Sequence, residues 1–73
     1  MNAAQCRMAR AALQLGVREL AAKAKVSPAT IVRFEASEEL RERTVDAIRA
    51  ALEAAGVEFT NSGQPGVRMR KQK

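Results

Sequence analysis

Two short helical segments joined by almost no linker constrain the fold of this 73-residue chain more than any other feature. Residues 17–24 repeat apolar side chains along one helical face, and a new helix is expected to begin at Ser27-Pro28. Ser27 can accept hydrogen bonds from the free N–H groups of that helix, and Pro28 suits its first position, where no N–H partner is needed. Only Lys25 and Val26 separate the two helices, and so short a link forces a sharp angle between them.

A longer helix is predicted on each side of this pair. The first covers residues 3–15, and Gly16 is expected to end it because glycine readily takes the left-handed conformation at a helix C-terminus. The last covers residues 40–55 and is expected to stop at Gly56. The eight-residue helix between them is too short to persist alone, so packing against these neighbours must hold it.

The apolar period changes from helical to two after Gly56, which predicts a β-hairpin over residues 57–70 with its turn at residues 61–66. The apolar face of this hairpin consists of Val57, Phe59, Val67 and Met69. An isolated two-stranded hairpin is marginal in water, so this face is expected to cover the helices or a partner chain. Residues 71–73 are expected to be a frayed basic tail.

The composition agrees with one small, mainly α domain that carries a short C-terminal hairpin. The chain is 47% apolar and 29% charged, which is ordinary for a globular protein, and its length leaves no room for a second domain. No stretch approaches the roughly 18 unbroken apolar residues of a membrane helix, and the first ten residues lack the apolar core of a signal peptide. We therefore expect a cytoplasmic protein without a membrane partner.

The residue types exclude several kinds of chemistry. The chain has no histidine and a single cysteine, Cys6, so it can form neither an internal disulfide nor a zinc site of the usual Cys or Cys/His type. It also lacks the imidazole of a Ser–His or Cys–His nucleophile pair. Cys6 is expected to be a small core residue. We predict no enzymatic activity, no metal, no cofactor and no small-molecule ligand.

Charge is unevenly distributed along the chain, whose net charge is +5. Residues 1–33 carry six basic side chains and one acidic side chain, whereas residues 34–63 carry three basic and seven acidic ones. The remaining residues carry four basic side chains and no acid. This division predicts a binding face for an anionic partner and a separate, non-binding acidic face. A solvated basic surface without a partner is the alternative.

The stretch VRELAAKAKVSPATIVRFE, residues 17–35, resembles the helix-turn-helix of the phage-repressor/Cro family, the XRE-type transcriptional regulators. The resemblance rests on Leu-Ala in the first helix, Val-Ser at the turn, and Ile31 three residues before the Phe-Glu ending. The wider similarity covers about residues 3–60. It implies a four-helix, lambda-repressor-like domain in residues 1–56, followed by the hairpin of residues 57–70.

The resemblance implies that the third helix enters the major groove of double-stranded DNA while the second crosses the backbone. The residues then expected to face the bases are Pro28, Ala29, Thr30 and Arg33. Arg33 is the residue best suited to base recognition, since its guanidinium can donate to both O6 and N7 of guanine. A contact to phosphate is the alternative role for Arg33. The residues expected near the backbone are Ser27, Arg18, Lys23, Lys25, Arg41 and Arg43. For Arg41 and Arg43, pairing with nearby glutamates on the helix surface is an equal alternative.

Arg10 and Glu35 occupy the positions where the family pairs an arginine of the first helix with a glutamate that ends the third, so a structural ion pair is implied. Three residues depart from the family pattern. Val17 stands where a phosphate-anchoring glutamine is common, and Lys25 and Ala36 stand where glycine is common. A positive φ at Lys25 would cost about 1 kcal/mol.

These expectations combine into a sequence-specific, DNA-binding transcriptional regulator, a repressor or activator that acts by occupying DNA at the nucleoid. One such helix reads few base pairs, so we expect a homodimer on two half-sites about 34 Å apart. The open edge and apolar face of the hairpin suit it for dimerisation through Val57, Phe59, Val67 and Met69. The alternative is an antitoxin-like or adaptor protein whose main partner is another protein.

Overall fold

The computed structural model describes residues 1–60 and 65–70, which form four α-helices followed by a two-stranded antiparallel hairpin. The helices are α1 (Ala3–Leu13), α2 (Val17–Ala24), α3 (Pro28–Glu35) and α4 (Glu42–Ala54), and the strands are β1 (Val57–Thr60) and β2 (Gly66–Met69). The prediction of a mainly helical chain with a C-terminal hairpin is confirmed.

The α2–α3 pair has the bounds that the sequence predicts. The Ser27 hydroxyl caps α3 by accepting a hydrogen bond from the backbone N–H of Thr30 at 3.2 Å, and Pro28 is the first helical residue. At the end of α2, the Val26 N–H donates to the Ala21 carbonyl at 3.0 Å, so a hydrogen bond back to α2 fixes the short link.

The end of α1 differs from the prediction. The helix ends at Leu13, and Gln14 rather than Gly16 takes the left-handed conformation, with φ of 57°. The Leu15 N–H then donates to the Arg10 carbonyl at 2.9 Å. Gly16 has φ of −77° and precedes α2, where its N–H donates to the Glu19 carboxylate. The prediction assigned Gly16 to the wrong helix, because a glycine in a short linker is a plausible end for one helix and start for the next.

The helix α4 is shorter than predicted at its start. Leu40 is half-buried against the core, and Arg41 has extended backbone, with ψ of 143°, so the helix begins only at Glu42. Among the described residues, no side chain caps this N-terminus. At its other end Gly56 has φ of 116°, a conformation that strongly favours glycine, and it turns the chain from α4 into β1.

In the hairpin, Val57 lies opposite Met69 and Phe59 lies opposite Val67. The exposure of its apolar side chains differs even within one pair: Val57 is 1% exposed and Met69 is 46% exposed. The predicted turn falls mainly on residues 61–64, which lie outside the described residues, as does the predicted frayed tail at 71–73.

The core combines side chains from all four helices and β1. Its buried members are Cys6, Ala9, Leu20, Ala21, Ala24, Ile31, Phe34, Ile48, Leu52 and Val57. The predicted burial of Cys6 is confirmed, and Val26 is half-buried at the edge of the core. Among the helices of the described residues, none is long and apolar enough to cross a bilayer.

Candidate nucleic-acid interface

The helix α3 divides cleanly into a buried face and an exposed face. Ile31 and Phe34 are 0% and 7% exposed and anchor the helix to the core. The side chains on the opposite side that are open to solvent are Pro28, Ala29, Val32 and Arg33. Because Ile31 and Phe34 are the two buried side chains of α3, most of the remaining helix surface is available to a partner.

The first turn of α3 holds its hydroxyl groups close together. The Ser27 and Thr30 hydroxyl oxygens lie 2.9 Å apart and share a hydrogen bond, in addition to the cap that Ser27 forms with the Thr30 backbone. Thr30 is half-buried, whereas Ser27, Pro28 and Ala29 are exposed. Its hydroxyl is therefore directed to the start of the helix, where backbone N–H groups and the helix dipole favour an anion such as phosphate.

A shallow groove runs beside α3, between that helix and the segment that leads into α4. It is lined by Val26, Ser27, Thr30, Arg33, Glu38, Glu39, Leu40, Arg41 and Thr44. Two carboxylates thus share the groove with two guanidinium groups. The sequence divides the chain into a basic half and an acidic half, but the fold places the first acidic residues after α3 directly beside Arg33. Phosphates would be attracted to one part of this groove and repelled by the other.

The cationic residues predicted near a DNA backbone are all exposed: Arg18, Lys23, Lys25, Arg41 and Arg43. Within the part of the chain that the structure describes, the ion pairs involve only Arg10, Arg49 and Arg68. The alternative that Arg41 and Arg43 pair with neighbouring glutamates therefore has no support in these contacts. Arg33 is likewise without a carboxylate within 4 Å among the described residues. These charges are free to meet an external anion.

A small polar network fixes α3 against α1. Arg10 donates to both carboxylate oxygens of Glu35, from Nε at 2.9 Å and from Nη2 at 2.8 Å, and also to the Leu15 carbonyl at 3.2 Å. Arg7 donates to the backbone carbonyl of Glu35. Because Glu35 is the last residue of α3, these bonds fix where that helix ends relative to α1.

The network also sets the protonation of its members. Hydrogen bonding from Arg10 holds the pKa of Glu35 below its ordinary value, against the opposing effect of burial. Burial, together with a hydrogen bond to the same carboxylate at 3.3 Å, raises the pKa of the Cys6 thiol to about 12. Cys6 is therefore a protonated donor at neutral pH and not a nucleophile.

Two of the departures from the family pattern have different structural consequences. Lys25 has φ of 60°, so the left-handed conformation that glycine would adopt freely is imposed on a lysine. Ala36 has φ of −89° and needs no glycine, because the left-handed residue after α3 is Ser37, with φ of 70°. Of these two residues, only Lys25 therefore has the positive φ whose cost was predicted, and it lies at the α2–α3 link.

The hairpin is attached to the helices by a residue that the sequence did not single out. Gln5 is 1% exposed, and its side-chain amide donates to the carbonyls of Thr60 and Gly66, at 3.2 and 3.0 Å. Its side-chain oxygen accepts from the Asn2 N–H at 2.9 Å, which completes a capping box at the start of α1. A buried glutamine could have been suspected only from its position on the apolar face of α1.

Of the four apolar residues assigned to dimerisation, Val57 belongs to the core of the chain itself. Phe59 and Val67 are half-buried, and only Met69 is largely open. The Arg49 guanidinium lies 5.7 Å from the centre of the Phe59 ring and pairs with Glu53 at 3.1 Å. Of these four side chains, the one left for a partner is Met69, although Val57 opposite it is buried.

No model of a known protein family matches this chain, and a comparison with curated proteins found no match. Within residues 1–60 and 65–70, no group of three or more Cys, Asp or Glu side chains is placed to hold a metal ion. The candidate site is therefore defined by its own geometry: an exposed short helix, its capped N-terminus, and the unpaired cations around it.

Proposed function

We propose that this protein is a sequence-specific, double-stranded DNA-binding regulator of transcription, with a helix-turn-helix formed by α2 and α3. The observation that carries the proposal is the exposed face of α3 between unpaired cations. Ile31 and Phe34 hold the helix from one side, which leaves Arg33 and its neighbours free on the other. A rigid helix about 10–12 Å wide is the element that the major groove admits.

The cations supply affinity that does not depend on sequence. Arg18, Lys23 and Lys25 belong to α2 and its C-terminus, and Arg41 and Arg43 to the start of α4, so α3 has cations on elements before and after it in the chain. Each phosphate that such a side chain neutralises releases counterions, and binding should weaken steeply with salt. The carboxylates of Glu38 and Glu39, which line the groove beside α3, oppose this attraction.

Specificity is assigned to the exposed face of α3. Arg33 presents the only charged side chain on that face, and a guanidinium can form two parallel hydrogen bonds with guanine. The pose of Arg33 depends on the orientation of α3, which the bonds between Arg10 and Glu35 maintain at its end. These two residues are positioning residues and are not assigned to base contact.

The protein is proposed to act as a homodimer, with α3 of each copy on one half-site. Within the described residues the sheet has only two strands, so each strand keeps one edge without a partner. Met69 is the most exposed apolar residue of the hairpin. Met69→Glu should leave the fold intact and shift the protein from dimer to monomer in analytical ultracentrifugation. A variant that remains dimeric would exclude this end of the hairpin as the interface.

The experiment that tests the function is selection of bound duplexes from a random pool at two salt concentrations, followed by affinity measurements on the enriched sequence and a scrambled one. Arg33→Ala should lose about 1–3 kcal/mol on the enriched duplex and far less on the scrambled duplex. Arg68→Ala is the matched control, since it removes the same charge from an exposed site on the hairpin. A pool without enrichment would exclude sequence-specific binding, and equal losses on both duplexes would make Arg33 a phosphate contact.

A further inference from the structure

An apolar stripe runs along the outer surface of α3. Val32 is 55% exposed, more than Met69 at 46% or Met8 at 39%, the other large apolar residues open to solvent. Pro28 and Ala36 lie four residues before and after it, so the three share one side of the helix, and both are exposed. The stripe was not apparent from the sequence, where Val32 is one of several apolar residues in a short helix.

Folding alone does not account for Val32. It is absent from the side chains that form the core or pack against it. Valine is also a weaker helix former than alanine, since its branched side chain loses rotamer freedom in a helix. A lone exposed apolar residue is ordinary, but here it stands at the centre of a continuous apolar strip on the helix that the proposed function places against DNA.

Little else on this face can read a base. Arg33 is its only charged group, and the Ser27 and Thr30 hydroxyls are bonded to each other at the start of the helix. Val32 is not among the residues that line the groove containing Glu38 and Glu39, so the stripe faces away from those carboxylates. In the major groove the base edges offer one apolar group, the 5-methyl of thymine.

We propose that Val32 is a specificity-determining residue that recognises the 5-methyl group of thymine, with Pro28 extending the same apolar contact along the groove. This inference rests on the proposed function. One helical turn separates the two residues, a rise of about 6 Å, so the contact can extend over about two base-pair steps. The operator should then contain thymine, on either strand, beside the guanine read by Arg33.

The test uses the duplex enriched by selection and a copy in which each candidate thymine is replaced in turn by deoxyuridine, which lacks only the methyl group. At the contacted position the unaltered protein should bind the deoxyuridine duplex about three- to fivefold more weakly, the effect of one buried methyl. Val32→Ala should bind the thymine duplex more weakly by a similar factor and should no longer distinguish the two duplexes.

Met8→Ala is the matched control, since it shortens an exposed apolar side chain on α1 and should retain the preference for thymine. Thermal unfolding of Val32→Ala separates binding from folding: its stability should equal or exceed that of the unaltered protein, because alanine is the better helix former.

If selection enriches a sequence but Val32→Ala keeps the same preference for thymine over deoxyuridine, this inference is overturned and the proposed function still stands. A pool without enrichment would instead remove the function on which it rests. Binding of an acidic protein that is abolished by Val32→Ala, with no effect of deoxyuridine, would assign the stripe to a protein partner and overturn the inference.

Discussion

Arg10 and Glu35 lie 25 residues apart in the chain and are joined by two charge-assisted hydrogen bonds of 2.9 and 2.8 Å. Their side chains are 24% and 10% exposed, so this contact is shielded from water far more than the other ion pairs of the described residues. It connects the first helix to the end of the helix proposed to read DNA. Stability and binding are therefore expected to depend on the same pair.

Arg10→Ala should destabilise the protein by about 1–3 kcal/mol, because the largely buried carboxylate of Glu35 loses its two guanidinium donors and keeps only the weak Cys6 thiol. Arg10→Lys should recover only part of the loss, since an ammonium cannot reproduce the two parallel bonds. Urea unfolding measures both. Arg68→Ala is the control: its partner Glu58 is 41% exposed and the arginine 70% exposed, so the loss should stay within about 1 kcal/mol. Equal losses for Arg10→Ala and Arg68→Ala would contradict the role assigned to Arg10.

The same pair predicts a pH dependence of stability. The pKa of Glu35 is lower in the folded protein than its ordinary value of 4.5, so the folded state favours the carboxylate. The stabilisation is present above pH 4.5 and is lost as the pH falls through the lower folded value. The free-energy difference between the unaltered protein and Glu35→Gln should be constant from pH 7 to 5 and shrink in more acidic solution. Glu39→Gln, whose carboxylate has no cation within 4 Å among the described residues, corrects for net charge. A difference that grows on acidification would contradict the assignment.

Lys25→Gly should stabilise the fold by up to about 1 kcal/mol, because it relieves the left-handed backbone at the α2–α3 link. Gln14→Gly is the matched control, with nearly the same φ and no change in charge. Both variants should melt at higher temperature, while only Lys25→Gly should reduce the salt dependence of DNA binding. If the two variants bind DNA alike at every salt concentration, Lys25 has no part in attracting phosphate.

Gln5→Met should loosen the hairpin, since methionine keeps the shape of glutamine but cannot donate to the Thr60 and Gly66 carbonyls. Two partly buried acceptors would lose this donor, at a cost of about 1–3 kcal/mol. Amide hydrogen exchange should show faster exchange in β1 and β2. Asn2→Ala, which removes the cap of α1 and keeps the Gln5 amide, should lower stability without selectively exposing the strands. Equal protection of the hairpin in both variants would show that Gln5 does not anchor it.

Local signals predicted much of this architecture. The Ser27-Pro28 start of α3, the end of α2 at Ala24 and the alternation in the hairpin depend on neighbours within a few residues, so the chain alone identifies them. The prediction failed where two local solutions compete, as at the end of α1, where Gln14 takes the left-handed conformation in place of Gly16.

The candidate site was predictable only in part. The positions of Ser27 and Arg33 on α3 follow from helical periodicity, and the resemblance to a known family suggested the partnership of Arg10 with Glu35. The placement of Glu38 beside Arg33 and the exposure of Val32 did not follow from either. Both depend on how α3 packs: its buried face contacts α1 and α2, which leaves Val32 outside, and the segment that leads into α4 runs along the groove that Arg33 lines.

The order and type of the elements follow from the chain alone, because helical and strand periodicity and helix capping are short-range properties. Which side chains those elements bury, and which charges they bring together, depends on the tertiary structure. Gln5 became a buried anchor, Val57 a core residue and Val32 an exposed one. Such outcomes depend on the distances between elements far apart in the chain, which no local pattern contains.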